Sequence, residues 1–307
     1  MDRDAGGAEE VLPAPPSVLE RARRLGPLPY SELGGQPSLP WSWLESSRLA
    51  QWMAAAIDAW WVELGRPDPY KVVEVGAGDG TRASLVLGLG PDCLNALRYV
   101  LVDHGCRDAQ AARLPIESPT FLFPGGSEDP EDLDAEGAPR PSPAAGMGPL
   151  VTSLEDLPAL QGDGVVIAVA WLSRLPSDRV QWRDGRWWEI RLAAVDKGLV
   201  ELPVPLVDGD LGGSRGQVWS RTRPAHPQEG ARYAVLAPAS DWISDAFRVA
   251  ESGVLAVIDV WTATTEPVPP DGRPAMALDQ FAPIRRPRDP SARTLFEDLS
   301  VVTWRLG

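Results

Sequence analysis

Cysteine and histidine are scarce, with two of each in 307 residues. Cys93 and Cys106 imply no disulfide framework. With His104 and His226 they barely supply the ligands for a zinc site, and no local spacing groups them, so no metal is expected. Basic residues are outnumbered, 29 Lys and Arg against 43 Asp and Glu, for a formal charge of −14. That balance argues against nucleic acid or an anionic membrane surface as partner, since both need a basic footprint. No apolar run reaches the length of a membrane span. The segment Met1-Asp2-Arg3-Asp4 is acidic and lacks an apolar signal core, so the expected location is cytoplasmic. The 13 tryptophans are unusual, and packing in cores and hairpins is the expected use of most of them.

Against these absences stands one informative stretch, Lys71-Val72-Val73-Glu74-Val75-Gly76-Ala77-Gly78-Asp79-Gly80-Thr81. It reads as a buried strand entering a glycine-rich turn and then a helix. A second strand, Tyr99-Val100-Leu101-Val102-Asp103, ends on a carboxylate. A dinucleotide fingerprint needs its third glycine five residues after the first, where helix and strand pack closely. Counted from Gly76, that position is Thr81, and the glycines fall at Gly76, Gly78 and Gly80 instead. A sharply bent loop without Cβ atoms lets a bulky ligand lie against the backbone. S-adenosylmethionine carries an amino-acid end, a sulfonium and a ribose, but no phosphate for a helix N-terminus to hold. Glu74 suits its cationic end, directly or through water. Asp103 suits two ribose hydroxyls, because a carboxylate accepts several hydrogen bonds. The alternatives are a salt-bridged structural role for Glu74, a helix-capping role for Asp103, or another nucleotide.

Residues 1–28 read as a loose N-terminal segment and 29–307 as a single domain. A helix is predicted over 46–64, from the spacing of Leu49, Trp52, Met53, Ala56, Trp60 and Leu64. A Pro-, Gly- and acid-rich stretch at about 116–148 reads as a solvated insertion. A short strand at 149–151, a brief helix at 154–157 and an apolar strand at 164–169 follow. Asp184-Gly185 between two Trp-bearing runs signals a hairpin. A helix over 238–251 and strands at 253–259 and 299–304 complete the reading. Strands alternating with helices imply an α/β fold with a mostly parallel, seven-stranded sheet and helices on both faces. Ligands of such sheets bind beyond the carboxyl ends of the strands, at the switch point.

The run Val166-Ile167-Ala168-Val169-Ala170-Trp171-Leu172-Ser173-Arg174-Leu175-Pro176, followed by Trp187-Trp188-Glu189, resembles the MidA-like methyltransferases. That family includes mitochondrial assembly factors of respiratory complex I. Its loop reads Asn-Glu-Leu-Leu-Asp-Ala-Leu-Pro before a Trp-x-Glu hairpin. The motif over Val72–Thr81, the strand Tyr99–Asp103 with Gln110 downstream, and Ser153–Pro158 also match, so the likeness spans roughly residues 45–260. The resemblance implies a Rossmann-like class I methyltransferase fold and S-adenosylmethionine as cofactor. Glu74, Gly76, Gly78, Gly80 and Asp103 would be its binding residues. The implied methyl acceptor is a protein side chain, arginine in the family, with a respiratory-complex subunit as a candidate partner. Val169, Ala170 and Ser173 stand where the family has Asn, Glu and Asp. These residues cannot orient a guanidinium as carboxylates do. Trp171 and Ser173 are pocket candidates, no catalytic residue is assigned, and the competing reading is a non-catalytic binding or assembly protein.

Overall fold

A computed structural model describes residues 47–118, 148–158, 160–195, 198–209, 211–262, 267–268, 276–277, 291–296 and 299–306. The expected loose segment at 1–28 and most of the 116–148 insertion lie outside these residues.

Helix α1 (Ser47–Glu63) forms because its apolar residues recur every three to four positions. Leu49, Ala50, Met53, Ala54, Ile57 and Trp60 are buried on one face. Gly65, at φ 82°, and Arg66, at φ 58°, follow the last turn and stop the helix in the left-handed region. Strand β1 (Tyr70–Val75) follows, and the Tyr70 hydroxyl donates back to the Ile57 carbonyl at 3.0 Å. Then come α2 (Thr81–Gly88), β2 (Leu97–Val102), α3 (Arg107–Ala111), β3 (Leu150–Leu154) and β4 (Leu160–Val169).

The chain next builds a separate antiparallel sheet from β5 (Asp178–Arg183), β6 (Arg186–Val195) and β7 (Gly198–Pro205). After α4 (Gly213–Thr222), β8 (Arg232–Val235) completes it in the order β7-β6-β5-β8. Asp184 and Gly185 both have positive φ, 55° and 72°, as a two-residue hairpin turn requires. This sheet has its own core. The Trp187 ring meets Trp182, Trp219 and Tyr233 edge-on, with centroids 5.0, 4.7 and 5.5 Å away.

Helix α5 (Ala237–Val249) returns the chain to the first sheet. There β9 (Ala250–Thr262), β10 (Met276–Ala277), β11 (Ser291–Phe296) and β12 (Leu299–Leu306) finish the fold. The main path runs β11-β12-β9-β4-β1-β2-β3, with β10 paired to β9 beside it. Numbered along the chain, the path strands run 3-2-1-4-5-7-6. All pairs are parallel except those made by β12, which is antiparallel to β9 and to β11. The architecture is α/β with a mostly parallel central sheet. Among the described residues seven strands lie on this path, and the two-residue β10 pairs with β9 as an eighth beside it.

Successive strand residues face opposite sides. Val72, Tyr99, Leu101, Val165 and Ile167 pack with α1 and α2, whereas Val73, Val75, Val100, Val166 and Leu255 pack with Ile243 and Ala246 of α5. Strands buried on both sides need near-continuous apolar runs, which is how β1, β2 and β4 read. The brief helix expected at 154–157 is absent: β3 extends to Leu154, whose register partner is Val102. The register Val102↔Val75↔Ala168 ends three strands at one edge. The loops after them start side by side.

Candidate cofactor site

The glycine loop leaves β1 at that edge. Gly76, Gly78 and Gly80 all have positive φ, at 77°, 57° and 82°. Gly76 has a second constraint, since a Cβ there would lie 2.6 Å from the Val169 carbonyl oxygen. Gly80 caps α2 in the left-handed conformation. Asp79 accepts from the Thr81 amide at 3.0 Å and from Arg113 at 2.7 Å. Burial alone would raise the Asp79 carboxyl, but these hydrogen bonds outweigh it and hold it below its usual value.

Asp103, one residue beyond β2, joins the two strand ends. Its Oδ2 accepts from the Gly78 amide at 2.8 Å, and its Oδ1 from the His104 amide at 2.9 Å. Gln110 of α3 donates to the Gly78 carbonyl at 2.8 Å, clamping the loop from the other side. Arg174, from the short 3-10 turn after β4, reaches Asp103 Oδ2 at 3.3 Å. Its guanidinium carbon lies 5.5 Å from the centre of the Trp171 ring. Asp103 is thus held by the loop it was expected to serve, not by a helix cap.

Glu74 is fully buried, and both its oxygens are engaged. Arg82 Nε donates to Oε1 at 2.6 Å and the Tyr99 hydroxyl to Oε2 at 2.6 Å. Arg82 also donates to the Gly76 carbonyl at 2.8 Å. The structural, salt-bridged alternative therefore describes this carboxylate. Arg82 joins Glu74 to the loop. Burial, with the Glu74 charge next, pushes the Tyr99 phenol well above its usual 10.0, and burial raises Tyr70 likewise. Burial and Asp58 raise the Cys93 thiol above 9.0. The fold keeps these three groups protonated, whereas the unfolded chain releases their protons near pH 9 to 10. Their contribution to stability is fully present below that range and is lost progressively as pH rises above it towards the raised values of the fold. The melting temperature should fall on titration from pH 8.5 to 11, and a flat profile would contradict these burials.

Ala170 has φ 47°, an uncommon conformation for a residue with a Cβ, and its amide donates to the Ile258 carbonyl at 2.8 Å. This turn sets Trp171 against Gly76, with Trp171 Cβ 3.6 Å from where a Gly76 Cβ would stand. Trp171 also packs on Trp242, at a centroid separation of 6.4 Å. Ser173 is held by its backbone, its amide donating to buried Asp259 at 3.1 Å. Glu189 of the Trp-x-Glu hairpin is buried and bonded to Arg191 and Arg215 of its own chain. Arg215 also bonds Asp178 at 3.3 Å.

The structure brings Gly76, Gly78, Gly80, Asp103 and Trp171 together at the carboxyl edge, with Glu74 beneath them and Ser173 on the adjoining turn. Sequence reasoning missed the parts played by Arg82, Tyr99 and Asp259, and the pairing of Arg174 with Asp103. Arg82 had a legible sign, an arginine in register with the buried helix positions Ala83 and Val86. Among the described residues no cluster of metal-ligating side chains occurs. No helix there is long and apolar enough to cross a membrane.

Two buried polar atoms against the loop lack hydrogen-bond partners: Gln110 Oε1 and Trp171 Nε1. With a loop that has no side chain at Gly76, Gly78 or Gly80, and a carboxylate at its rim, they fit a nucleoside bearing a polar tail. Fold and site together define a nucleoside-binding α/β domain of the methyltransferase type. A family model described as "Putative S-adenosyl-L-methionine-dependent methyltransferase" matches residues 49–279, and the chain belongs to that family. A Drosophila melanogaster protein named protein arginine methyltransferase NDUFAF7 homolog, mitochondrial, is 28% identical over 156 residues. The match takes in 48% of this chain and 33% of that relative, so the chain spans about a third of the relative's length. An uncharacterised Burkholderia thailandensis protein has a similar fold, at TM-score 0.57 and 14% identity, covering 94% of this chain and 90% of that one. A second B. thailandensis protein, solved with S-adenosyl-homocysteine, gives TM-score 0.55 at 14% identity, covering 85% and 76%. The MidA-like resemblance is borne out, and S-adenosylmethionine is the family's cofactor.

Proposed function

We propose that this chain is an S-adenosylmethionine-dependent methyltransferase acting on a protein side chain. The observation that carries the reading is the clasp between Asp103 and Gly78, which fixes a carboxylate beside a loop with no side chain at Gly76, Gly78 or Gly80. S-adenosylmethionine supplies a methyl group activated by a sulfonium. The chain's part is to hold the nucleoside: Gly76, Gly78 and Gly80 give it a flat bed, and Asp103 accepts from the ribose. Glu74 positions the loop through Arg82, while Trp171 lines the same edge. The finer fold reading belongs here too. The 3-2-1-4-5-7-6 path is taken as the seven-stranded class I methyltransferase sheet with helices on both faces. Residues 29–307 are taken as one domain carrying the four-stranded sheet as an elaboration.

Arginine is proposed as acceptor because the fruit-fly relative's name states it, and a respiratory-complex subunit is the partner that the family resemblance suggests first. The cytoplasmic location expected from composition has a competitor in that relative's mitochondrial name. Calorimetric titration with S-adenosylmethionine and S-adenosylhomocysteine tests the cofactor reading, and micromolar binding is expected. Asp103→Ala, with its fold verified by circular dichroism, should weaken binding by about 1–3 kcal/mol, the scale of lost hydrogen bonds to a charged group. Unchanged affinity in that variant would overturn the ribose assignment. No binding by the folded native chain would leave a protein that keeps the fold without the activity.

A further inference from the structure

An ionised carboxylate offers about four lone-pair sites, two on each oxygen. On Asp103, Oδ1 holds the His104 amide and Oδ2 holds the Gly78 amide. Arg174 takes the second site on Oδ2. Among the described residues, one acceptor site remains on Oδ1, whereas two ribose hydroxyls need two. Asp103 and Arg174 are shielded from water, with side-chain exposures of 1% and 11%, so their attraction is weakly screened. Arg174 is also braced against the Trp171 ring. Its position in the loop corresponds to the alanine of the Asn-Glu-Leu-Leu-Asp-Ala-Leu-Pro pattern, a side chain that could not reach Asp103.

We propose that Arg174 is an exchange residue of the cofactor site. It occupies the Asp103 acceptor position that the second ribose hydroxyl requires, so ligand entry trades an internal ion pair for ribose hydrogen bonds. The short turn Leu172–Arg174 suits this movement, because it and the residue before Trp171 are held through their backbone amides. Ala170 N is held by Ile258 O, and Ser173 N by Asp259. The side chain can swing while the turn stays fixed. The cost of exchange falls on every ligand that brings both hydroxyls and on none that lacks them. Arg174 therefore sets the affinity for intact ribose rather than the size of the site.

The inference rests on the ribose reading of Asp103. Its test uses the full chain and calorimetric affinities for S-adenosylhomocysteine and its 2′,3′-dideoxy analogue. Arg174→Ala should bind S-adenosylhomocysteine about tenfold more tightly, the scale of one charge-assisted hydrogen bond. For the dideoxy analogue, native and variant affinities should agree within about twofold. Arg174→Lys, which keeps the charge, should restore most of the native behaviour. A gain of equal size for both ligands would mean that Arg174 merely fills space, and would overturn the exchange. Unchanged or weaker binding of S-adenosylhomocysteine by Arg174→Ala would overturn it too, the latter making Arg174 a direct ligand contact. The Asp103→Ala titration separates this failure from that of the reading beneath it. If Asp103→Ala weakens binding but Arg174→Ala does not strengthen it, the ribose assignment stands and the exchange falls.

Discussion

Replacing Arg82 with Met should destabilise the protein by about 3–5 kcal/mol, the penalty for breaking a buried ion pair from one side. The substitution keeps the volume of the side-chain stem and removes, among other contacts, two hydrogen bonds. One is to Glu74 Oε1 at 2.6 Å and the other to the Gly76 carbonyl at 2.8 Å. Among the described residues, Glu74 would remain fully buried with the Tyr99 hydroxyl as its one hydrogen-bond partner. A carboxylate left that way either stays charged at high cost or takes up a proton. Urea denaturation measures the loss. Adding Glu74→Gln to the Arg82→Met variant should recover part of it, because a neutral amide tolerates burial better than an unpaired charge. A loss below about 1 kcal/mol would place this pair with exposed ones, whose worth is small. The link to function is direct, since the same guanidinium holds the first glycine of the loop.

Gly76→Ala should cost about 2–4 kcal/mol and abolish cofactor binding, for two reasons that add. The backbone at φ 77° disfavours any Cβ, a strain of about 1–3 kcal/mol. The new methyl would also stand 2.6 Å from the Val169 carbonyl oxygen, a backbone atom of a central strand that cannot swing aside. Relief requires β1 and the turn after β4 to separate, carrying Trp171 away from the loop. Gly65→Ala is the natural control. It has a similar φ of 82° but nothing within 4 Å of its Cβ, so it should show the strain alone and leave binding intact. Thermal melts and titration with S-adenosylhomocysteine read both effects. Equal losses in the two variants would remove the close approach as a cause.

Local rules made much of this fold legible. The glycine loop announced itself because only glycine takes three positive φ angles in five residues cheaply, and α1 because its buried face repeats. The hairpin at Asp184-Gly185 followed from turn chemistry. The reading failed where tertiary packing outweighs local preference. Helix α4 begins Gly213-Ser214-Arg215-Gly216, a poor helix start, and is secured by burying Val218 and Trp219 in the second core. Leu154 and its neighbours looked helical, but β3 gains from pairing along β2. At the site, Glu74 and Asp103 were visible and their side-chain partners were not. Arg174 lies 71 positions from Asp103, and Ser173 lies 86 from Asp259. No spacing rule connects residues that meet only when a parallel sheet closes.

The four-stranded sheet sits in the chain between β4 and β9, which are neighbours at the centre of the larger sheet. Pairing Gly164 with Gly253 spans 89 positions (253 − 164). For a chain free over that length, closure entropy opposes the pairing, and non-local contacts of this kind form slowly. The intervening residues, however, carry a hairpin, a helix and a tryptophan-rich core of their own. Once they condense, the free tether between β4 and β9 shrinks to the few residues at each end. The inserted unit thus serves as a folding spacer as well as a surface, turning a long closure into a short one. Completion of the cofactor edge is thereby tied to a part of the chain that does not touch Asp103.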